Sequence, residues 1–291
     1  MNFIQFARAH GIEIDPAKLY PGEKIKRCGT TEKPRSGAGA YFWDGARGWV
    51  FDWSGETRVH WFNDPSSTAW TQAEKDAWKA KRQAASFDQE ESYRRAAVRA
   101  HELLTSASPG QHSYLHSKGF AEAEGFIAAD GALLIPMRAA QGNALQGVQV
   151  IRWLEDERRH EKKMQPGMKA KGAVFRMGAP AAAETCLVEG YADGLSVQAA
   201  LRSIGIHAAV VVCFSAHNIA TVAPLLTGRR YVFADNDKSG TGQQVAQQTG
   251  LPWCMSDTEG EDPNDLHQRA GLLAVCQKIM NVRRAGAGSR P

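Results

Sequence analysis

The sequence predicts an α/β protein: a parallel sheet flanked by helices, preceded by a mixed α/β basic subdomain and a small tryptophan-rich β module. Three observations carry this prediction. The last third of the chain alternates short, almost wholly apolar runs with helical stretches, a pattern typical of strands covered on both faces. The middle third sets strand candidates between basic turns, and the first quarter concentrates aromatic residues between turn-forming residues.

Residues 1–70 are predicted to form the tryptophan-rich β module. Six of the eight tryptophans fall within residues 43–78. Strands are expected over 40–43 and 48–53, separated by the turn-forming pair Asp44-Gly45. We therefore predict a meander of two or three strands. Its indoles are expected to form the core of the module, with stacking on unpaired bases as the alternative.

Residues 71–108 are predicted to be a helical connector. No Gly or Pro interrupts this stretch, and Thr71 with Glu74 fits a capping box at a helix start. Residues 75–99 mix both charge signs. This mixture favours a solvated helix, and a nucleic-acid-binding arm is the alternative.

Residues 109–180 are predicted to be the basic α/β subdomain. Strands are expected over 133–137, 147–151 and 174–177. Between Arg152 and Arg176 the chain carries eight Lys or Arg against four acidic residues. The run is interpreted either as a solvated hairpin loop or as a phosphate-binding surface.

Residues 181–282 are predicted to carry the parallel sheet, and residues 283–291 a loose tail. The strand candidates are all short and apolar and lie at 185–188, 208–213 and 230–234. The intervening helical stretches lie near 194–204, 217–226, 241–249 and 263–280. Strand and helix alternate in the order that builds a parallel sheet.

Acidic residues follow the predicted parallel strands, where ligands of such sheets bind. Glu189 and Asp193 follow the first strand, Asp235 and Asp237 follow the third, and Asp262 lies in a later loop. Clustered carboxylates repel one another unless a cation lies among them, and oxygen ligands select Mg²⁺ or Mn²⁺. Each acid alone has a structural alternative, because Asp also caps helices and stabilises turns.

The order of these acids resembles the Toprim domain shared by bacterial-type primases, type IA and type II topoisomerases and certain nucleases. The matching segments are Glu189-Gly-Tyr-Ala-Asp193, Asp235-Asn-Asp237 and Asp262-Pro-Asn-Asp265. Upstream, His112 to Phe120 looks like the H-x-Y-L-x-x-K-G opening of phage and plasmid primases, and Lys162 to Gly172 resembles their basic segment. The likeness covers roughly residues 110–280.

The resemblance implies a Toprim-like sheet and a DNA primase that makes short RNA primers on single-stranded DNA by two-metal nucleotidyl transfer. Glu189, Asp235 and Asp237 would be catalytic, and these three with Asp193 and Asp262 would hold Mg²⁺ or Mn²⁺. The expected phosphate-binding residues are all basic: Lys118, Arg152, Lys162, Lys163, Lys169 and Lys171. The implied partners are a single-stranded DNA template, NTPs and a replicative helicase acting in trans.

Two other functions use the same residues. A Toprim metal-dependent nuclease would activate water with the same acids. A non-catalytic single-stranded DNA-binding replication adaptor would retain the fold alone. The sequence has no P-loop motif, so it does not predict a fused helicase motor.

Composition sets the remaining expectations. The net charge is +4 with a pI near 8.8, which permits an anionic partner. The five cysteines are spread without a C-x-x-C pair, so neither a disulfide framework nor a zinc ribbon is predicted around Cys28. No apolar run is long enough to cross a bilayer. We therefore expect a cytoplasmic protein of a bacterial or phage-infected cell.

Overall fold

The computed structural model describes residues 1–22, 24–53, 58–64, 71–179 and 182–285. The chain divides into two compact units, residues 1–82 and 83–291. Both contain sheets and helices, so the predicted α/β class is confirmed. Trp70 and residues 286–291 of the predicted tail lie outside the described residues. The same holds for residues 54 and 55, whose letters Ser-Gly are typical of a turn after the second predicted strand.

The first unit is built on an antiparallel sheet whose five strands pair in chain order. Its elements are α1 (Phe3–Ala9), β1 (Ile12–Glu13), a 3-10 turn (Pro16–Lys18), β2 (Lys26–Thr30), β3 (Gly39–Trp43), β4 (Arg47–Asp52) and β5 (His60–Asn63). The predicted strands correspond to β3 and β4. The other three strands were not predicted because β1 has only two residues, and β2 (KRCGT) and β5 (HWFN) are short and show neither an apolar run nor a regular alternation.

Phenylalanines, not tryptophans, dominate the core of this unit. Phe3 is 3% exposed, and its ring stacks on Trp43 with a centroid separation of 4.6 Å. Trp53 and Trp61 remain 56% and 66% exposed, so the expectation of indoles in the core is wrong for these two residues. Helix α1, which was not predicted from the sequence, supplies three of the eight buried side chains of this core, Phe3, Phe6 and Ala7.

A single helix, α2 (Gln72–Ser106), follows the sheet. The predicted capping box is present: the Thr71 amide donates to Glu74 Oε2 at 2.7 Å, and the Glu74 amide donates to Thr71 Oγ1 at 3.3 Å. Only Ala96 and Ala100 of this helix are buried. The mixed charges therefore lie mostly in solvent, as a solvated helix requires.

The second unit contains one ten-stranded sheet. Its strands are β6 (Ser108–Gly110), β7 (Gly125–Ile127), β8 (Leu133–Ala139), β9 (Leu145–Leu154), β10 (Arg159–Met164), β11 (Ala173–Met177), β12 (Glu184–Val188), β13 (Ala209–Val212), β14 (Arg229–Phe233) and β15 (Trp253–Cys254). The main path of the sheet runs β10-β9-β8-β11-β13-β12-β14-β15, and β7 pairs with β6 and β8.

Only part of this sheet is parallel. The strands β13, β12, β14 and β15 pair in parallel, whereas all other pairs are antiparallel. The prediction of a parallel sheet therefore holds for residues 184–254 but not for the sheet as a whole. Short turns join β8 to β9 and β9 to β10, and such turns connect only antiparallel neighbours, whereas parallel strands need long crossovers.

Helices supply the parallel crossovers and cover both sheet faces. They are α3 (Ser113–Ser117), α4 (Tyr191–Ser203), α5 (Ala216–Val222) with a 3-10 turn (Ala223–Leu225), α6 (Thr241–Gln248), α7 (Pro263–Ala270) and α8 (Leu272–Ala285). The helix predicted near 263–280 is two helices, because Gly271 adopts a positive φ of 81° between them. Among the described residues no helix is long and apolar enough to span a bilayer.

Candidate active site

Two neighbouring parallel strands bring the predicted catalytic acids to one edge of the sheet. Strand β12 pairs with β14, with Leu187 opposite Val232. Glu189 directly follows β12, and Asp235 comes two residues after the end of β14. Because both strands point the same way, both acids follow carboxyl ends at the same edge.

Asp235 lies at the centre of the acidic site, which we define as Glu189, Asp193, Asp235, Asp237 and Asp262. Burial raises its pKa well above the usual value, and the negative charges of the other four acids raise it further. Its Oδ1 atom is buried without a hydrogen-bond partner among the described residues. A buried, unsatisfied carboxylate oxygen favours a proton or a cation beside it.

Glu189 is held in a similar environment. Burial raises its pKa, and the charge of Asp237 adds to this effect. The ring of His217 and the backbone amide of Ala216 act in the opposite direction. His217 is a neighbour of the site that the sequence pattern did not single out, because it belongs to the short helix α5 and to no acidic motif.

Asp237 is held by the loop that follows it. Its Oδ1 accepts the Ser239 amide at 2.8 Å and the Ser239 hydroxyl, and its Oδ2 accepts the Gly242 amide at 2.8 Å. These bonds hold its pKa below the usual value although partial burial opposes them. A Cβ atom at Gly242 would lie 2.3 Å from the Asp235 carbonyl oxygen, so this close turn requires glycine.

Asp193 and Asp262 have structural roles at helix starts. Asp193 is 3% exposed, and its two carboxylate oxygens accept the amides of Gly190 at 2.8 Å and Asn264 at 3.2 Å. Burial raises the pKa of Asp193, and the charge of Asp262 adds to it. Asp262 caps α7 by accepting the Asp265 amide at 2.6 Å. The capping alternative therefore holds for both residues.

The donor set fits a hard divalent cation by its chemistry. All five acids offer oxygen, and the buried Oδ1 of Asp235, which has no hydrogen-bond partner among the described residues, is the clearest candidate ligand. Within the described ranges, no group of three or more His, Cys, Asp or Glu side chains is arranged so that together they could hold a metal ion. Glu189 and Asp235 are thus the primary candidate ligands, since backbone amides already occupy both oxygens of Asp193 and of Asp237.

Two predicted phosphate-binding lysines reach this edge. The Lys118 ammonium lies 3.7 Å from Asp265 Oδ1, beside the α7 cap. The Lys162 ammonium lies 5.1 Å from the centroid of the Tyr114 ring, and its charge lowers the pKa of Asp193. Lys118 and Lys162 therefore place positive charge next to the acidic site.

The other predicted basic residues lie elsewhere. Lys163 follows Lys162 on β10, so its side chain takes the opposite sheet face, where it pairs with Glu161 at 2.8 Å. Lys169 lies 5.8 Å from the Tyr93 ring centroid, and Arg152 pairs with Asp130 at 2.8 Å. Lys171 is exposed. These residues do not form one row with Lys162.

Asn264 joins three segments around the site, and its role was not predicted from the sequence. It is fully buried, and its side-chain amide donates to the Lys118 carbonyl at 2.9 Å and to Ser196 Oγ at 3.0 Å. Its backbone amide holds Asp193. The only sequence signal for this role is the Asn within Asp262-Pro-Asn-Asp265, and a pattern of carboxylates does not include it.

A cluster of imidazole and indole rings lies beside the acidic site. His160 and Trp153 belong to the β9–β10 hairpin, and His112 precedes α3. His112 caps α3 by accepting the Tyr114 amide at Nδ1 at 3.0 Å, a structural role. His160 lies 2.9 Å from Ser113 Oγ and packs against the ring of Trp153, which is 42% exposed. Sequence spacing could not show this cluster, because the residues come from two separate segments.

Comparisons with protein-family models, with curated proteins and with solved structures found no match to this chain. The resemblance to Toprim proteins accordingly depends on the motifs of the sequence.

Proposed function

We propose that this protein is a DNA primase of the Toprim type, which synthesises short RNA primers on single-stranded DNA by nucleotidyl transfer. The observation that carries the proposal is the convergence of Glu189, Asp235 and Asp237 beyond two adjacent parallel strands, with mutual electrostatic effects on their pKa values. Their order along the chain resembles the Toprim acids.

Mg²⁺ or Mn²⁺ would supply charge neutralisation at the triphosphate and activation of the primer 3′-hydroxyl. Asp235 and Glu189 would hold the cation, and Asp237 would join them if its loop hydrogen bonds are shared. Asp235 carries a raised pKa, so cation binding should release a proton from its carboxyl group. As an alternative to holding the cation, Glu189, whose pKa is also raised, would accept the proton of the primer 3′-hydroxyl.

The two lysines at this edge would bind phosphate. Lys162 and Lys118 lie beside the acids and offer several N–H donors to a triphosphate or a template backbone. Such contacts give affinity without base identity, so template choice must come from elsewhere. We place the protein in the cytoplasm of a bacterial or phage-infected cell, working with a replicative helicase in trans.

The test is ribonucleotide incorporation on single-stranded circular DNA with labelled NTPs and Mg²⁺ or Mn²⁺. We expect short RNA products from the wild-type chain and none from Asp235→Asn or Glu189→Gln. Glu124→Gln, which alters an exposed acid on another loop, is the matched control and should retain activity.

Two outcomes would replace the proposal. Degradation of the circular DNA, lost in the same variants, would indicate a metal-dependent nuclease. Template binding without RNA synthesis or DNA loss, unchanged in both variants, would indicate a non-catalytic replication adaptor. Either result would overturn the primase proposal.

A further inference from the structure

A cavity of about 560 Å³ lies in the second unit beside strands β7, β8 and β11. Its lining includes Phe126, Pro136, Arg138, Asn143 and Arg176. No acid of the acidic site lines it, and no Asp or Glu is found among its described lining residues. Its volume lies in the range of pockets that bind one small molecule, about 300–1,000 Å³.

The strand register places an aromatic ring and two arginines on the same face of the sheet. Phe126 pairs with Leu134 on β8, and Arg138, four residues further along β8, pairs with Val174 on β11. Arg176 is two residues beyond Val174. Since directly paired residues and residues two apart share a face, Phe126, Arg138 and Arg176 point to the same side.

The two guanidinium groups keep most of their hydrogen-bond donors free. Arg138 donates to the Asn143 carbonyl at 3.2 Å, a neutral partner. Arg176 is partly buried, and no hydrogen bond or ion pair joins its guanidinium to any residue that the structure describes. Partial burial of an unpaired charge is unfavourable, and an anion bound by both arginines would compensate the charge of Arg176, while Arg138 is exposed.

Phe126 supplies the apolar part of the cavity. It is 44% exposed, and it shares the lining with the buried ring of Pro136. A flat ring can lie against the phenyl face, while guanidinium groups bind phosphate oxygens through paired N–H donors. The combination suits a ligand that joins a planar base to phosphate groups.

We infer that this cavity binds one free nucleoside phosphate, with the phosphate groups at Arg138 and Arg176 and the base against Phe126. The site is separate from the acidic site and needs none of its carboxylates. The inference therefore goes beyond the proposed function and does not depend on it.

The test is calorimetric titration of the full chain with ATP, GTP, CTP and UTP in EDTA, so that no divalent ion contributes. We expect binding of at least one nucleotide, and at least tenfold weaker binding by Arg176→Met and by Phe126→Leu. Arg138→Gln should weaken binding as well. Arg202→Met, which removes an exposed arginine on α4, is the matched control and should bind as the wild type does.

Further titrations distinguish this cavity from the acidic site and from a site for a base or a phosphate alone. The double variant Glu189→Gln/Asp235→Asn should bind with wild-type affinity, so a failure of the primase proposal would leave this result intact. Adenosine and pyrophosphate should each bind much more weakly than ATP. Circular dichroism melting identifies any variant that fails to fold, and the remaining variants then decide.

Three results would overturn the inference. The first is the absence of nucleotide binding to the wild-type chain. The second is equal affinity in folded Arg176→Met, Arg138→Gln and Phe126→Leu. The third is Arg176-dependent binding of a single-stranded thymidine oligonucleotide without binding of any mononucleotide, which would make the cavity a polynucleotide contact.

Discussion

The backbone amide of Asn264 donates a hydrogen bond to Asp193 Oδ1 at 3.2 Å, across 71 residues of sequence. This bond joins the start of α7 to the start of α4 at the acidic edge. The Asn264 side chain extends the link to the Lys118 carbonyl. The position of Lys118 beside the acids thus depends on one buried amide.

Asn264→Ala should lower the free energy of unfolding by about 2–3 kcal/mol, because it leaves the buried Ser196 hydroxyl and Lys118 carbonyl without this donor. Urea denaturation measures the change. Gln268→Ala removes the bond that Gln268 donates to Asn264 Oδ1; because Gln268 is exposed, water can enter the space it leaves and replace the donor, so the cost should be less than about 1 kcal/mol. Equal costs for the two variants would contradict the role given to Asn264.

Asp235→Asn should stabilise the metal-free protein at high pH. The raised pKa of Asp235 means that the folded state keeps a proton which the unfolded state releases. Stability therefore falls as pH rises from the ordinary Asp pKa of about 3.9 toward the raised value. Thermal melts in EDTA at a series of pH values measure this effect. The melting temperature of the variant should exceed that of the wild type at about pH 8, and the two should lie closer together at about pH 5.

Asp237→Asn should have the opposite effect on stability. This carboxylate accepts the amides of Ser239 and Gly242, and its pKa is lowered by these bonds. An amide side chain accepts fewer of them, so we expect a loss of about 1 kcal/mol at neutral pH. The lowered pKa also means that this contribution disappears as pH falls through the folded-state value. Thermal melts of Asp235→Asn and Asp237→Asn that move in the same direction at about pH 8 would contradict the two environments described.

Arg283→Met should destabilise the second unit by about 3 kcal/mol, because it leaves Glu184 buried without its partner. The guanidinium Nε lies 2.5 Å from Glu184 Oε1 and Nη2 lies 3.0 Å from Oε2. Glu184 is 9% exposed at the start of β12. In guanidinium chloride titrations, the double variant Glu184→Met/Arg283→Met should recover most of the loss, and no recovery would show that packing of the Arg283 stem matters more than its charge.

Lys162→Met should reduce the salt dependence of single-stranded DNA binding more than Lys163→Met does. Only Lys162 faces the acidic edge, whereas Lys163 pairs with Glu161 on the opposite face. Each phosphate contact contributes roughly 0.7 to the slope of log affinity against log salt for a single strand. Fluorescence anisotropy of a labelled oligonucleotide at several salt concentrations gives the slopes. Slopes equal to the wild-type slope in both variants would show that neither lysine contacts phosphate, and an equal decrease in both would contradict their placement on opposite faces.

The sequence predicts the parallel strands well because they are buried on both faces. Leu187, Val211 and Val232 are each 0% exposed, and such runs are apolar throughout. The apolar runs also show where each strand ends. The acidic residues that follow these ends could therefore be assigned to one edge of the sheet. The antiparallel pairing of β11 with β8 and β13 was not predictable, because register between distant segments leaves no local pattern.

The direction in which each side chain points was the second feature that the sequence did not predict. Lys162 and Lys163 are adjacent letters in one basic run, and only their pairing on β10 shows that they lie on opposite faces. Asp193 is a similar case: the Gly190 amide that it caps at the start of α4 is local, whereas the Asn264 amide that it also accepts lies far along the chain. Local sequence gives the element and the residue type, while the partner depends on tertiary contacts.

Strand β11 holds a middle position in the sheet, between β8 and β13, and pairs with both in antiparallel register. Its partners begin at Leu133 and Ala209, on either side of it in the chain. Both partners of β11 are distant from it in the sequence. Chain entropy is therefore lost before the contacts of β11 form, and this loss slows folding. The amide hydrogens of β11 should therefore be among the last to become protected during refolding, which pulsed hydrogen exchange measures.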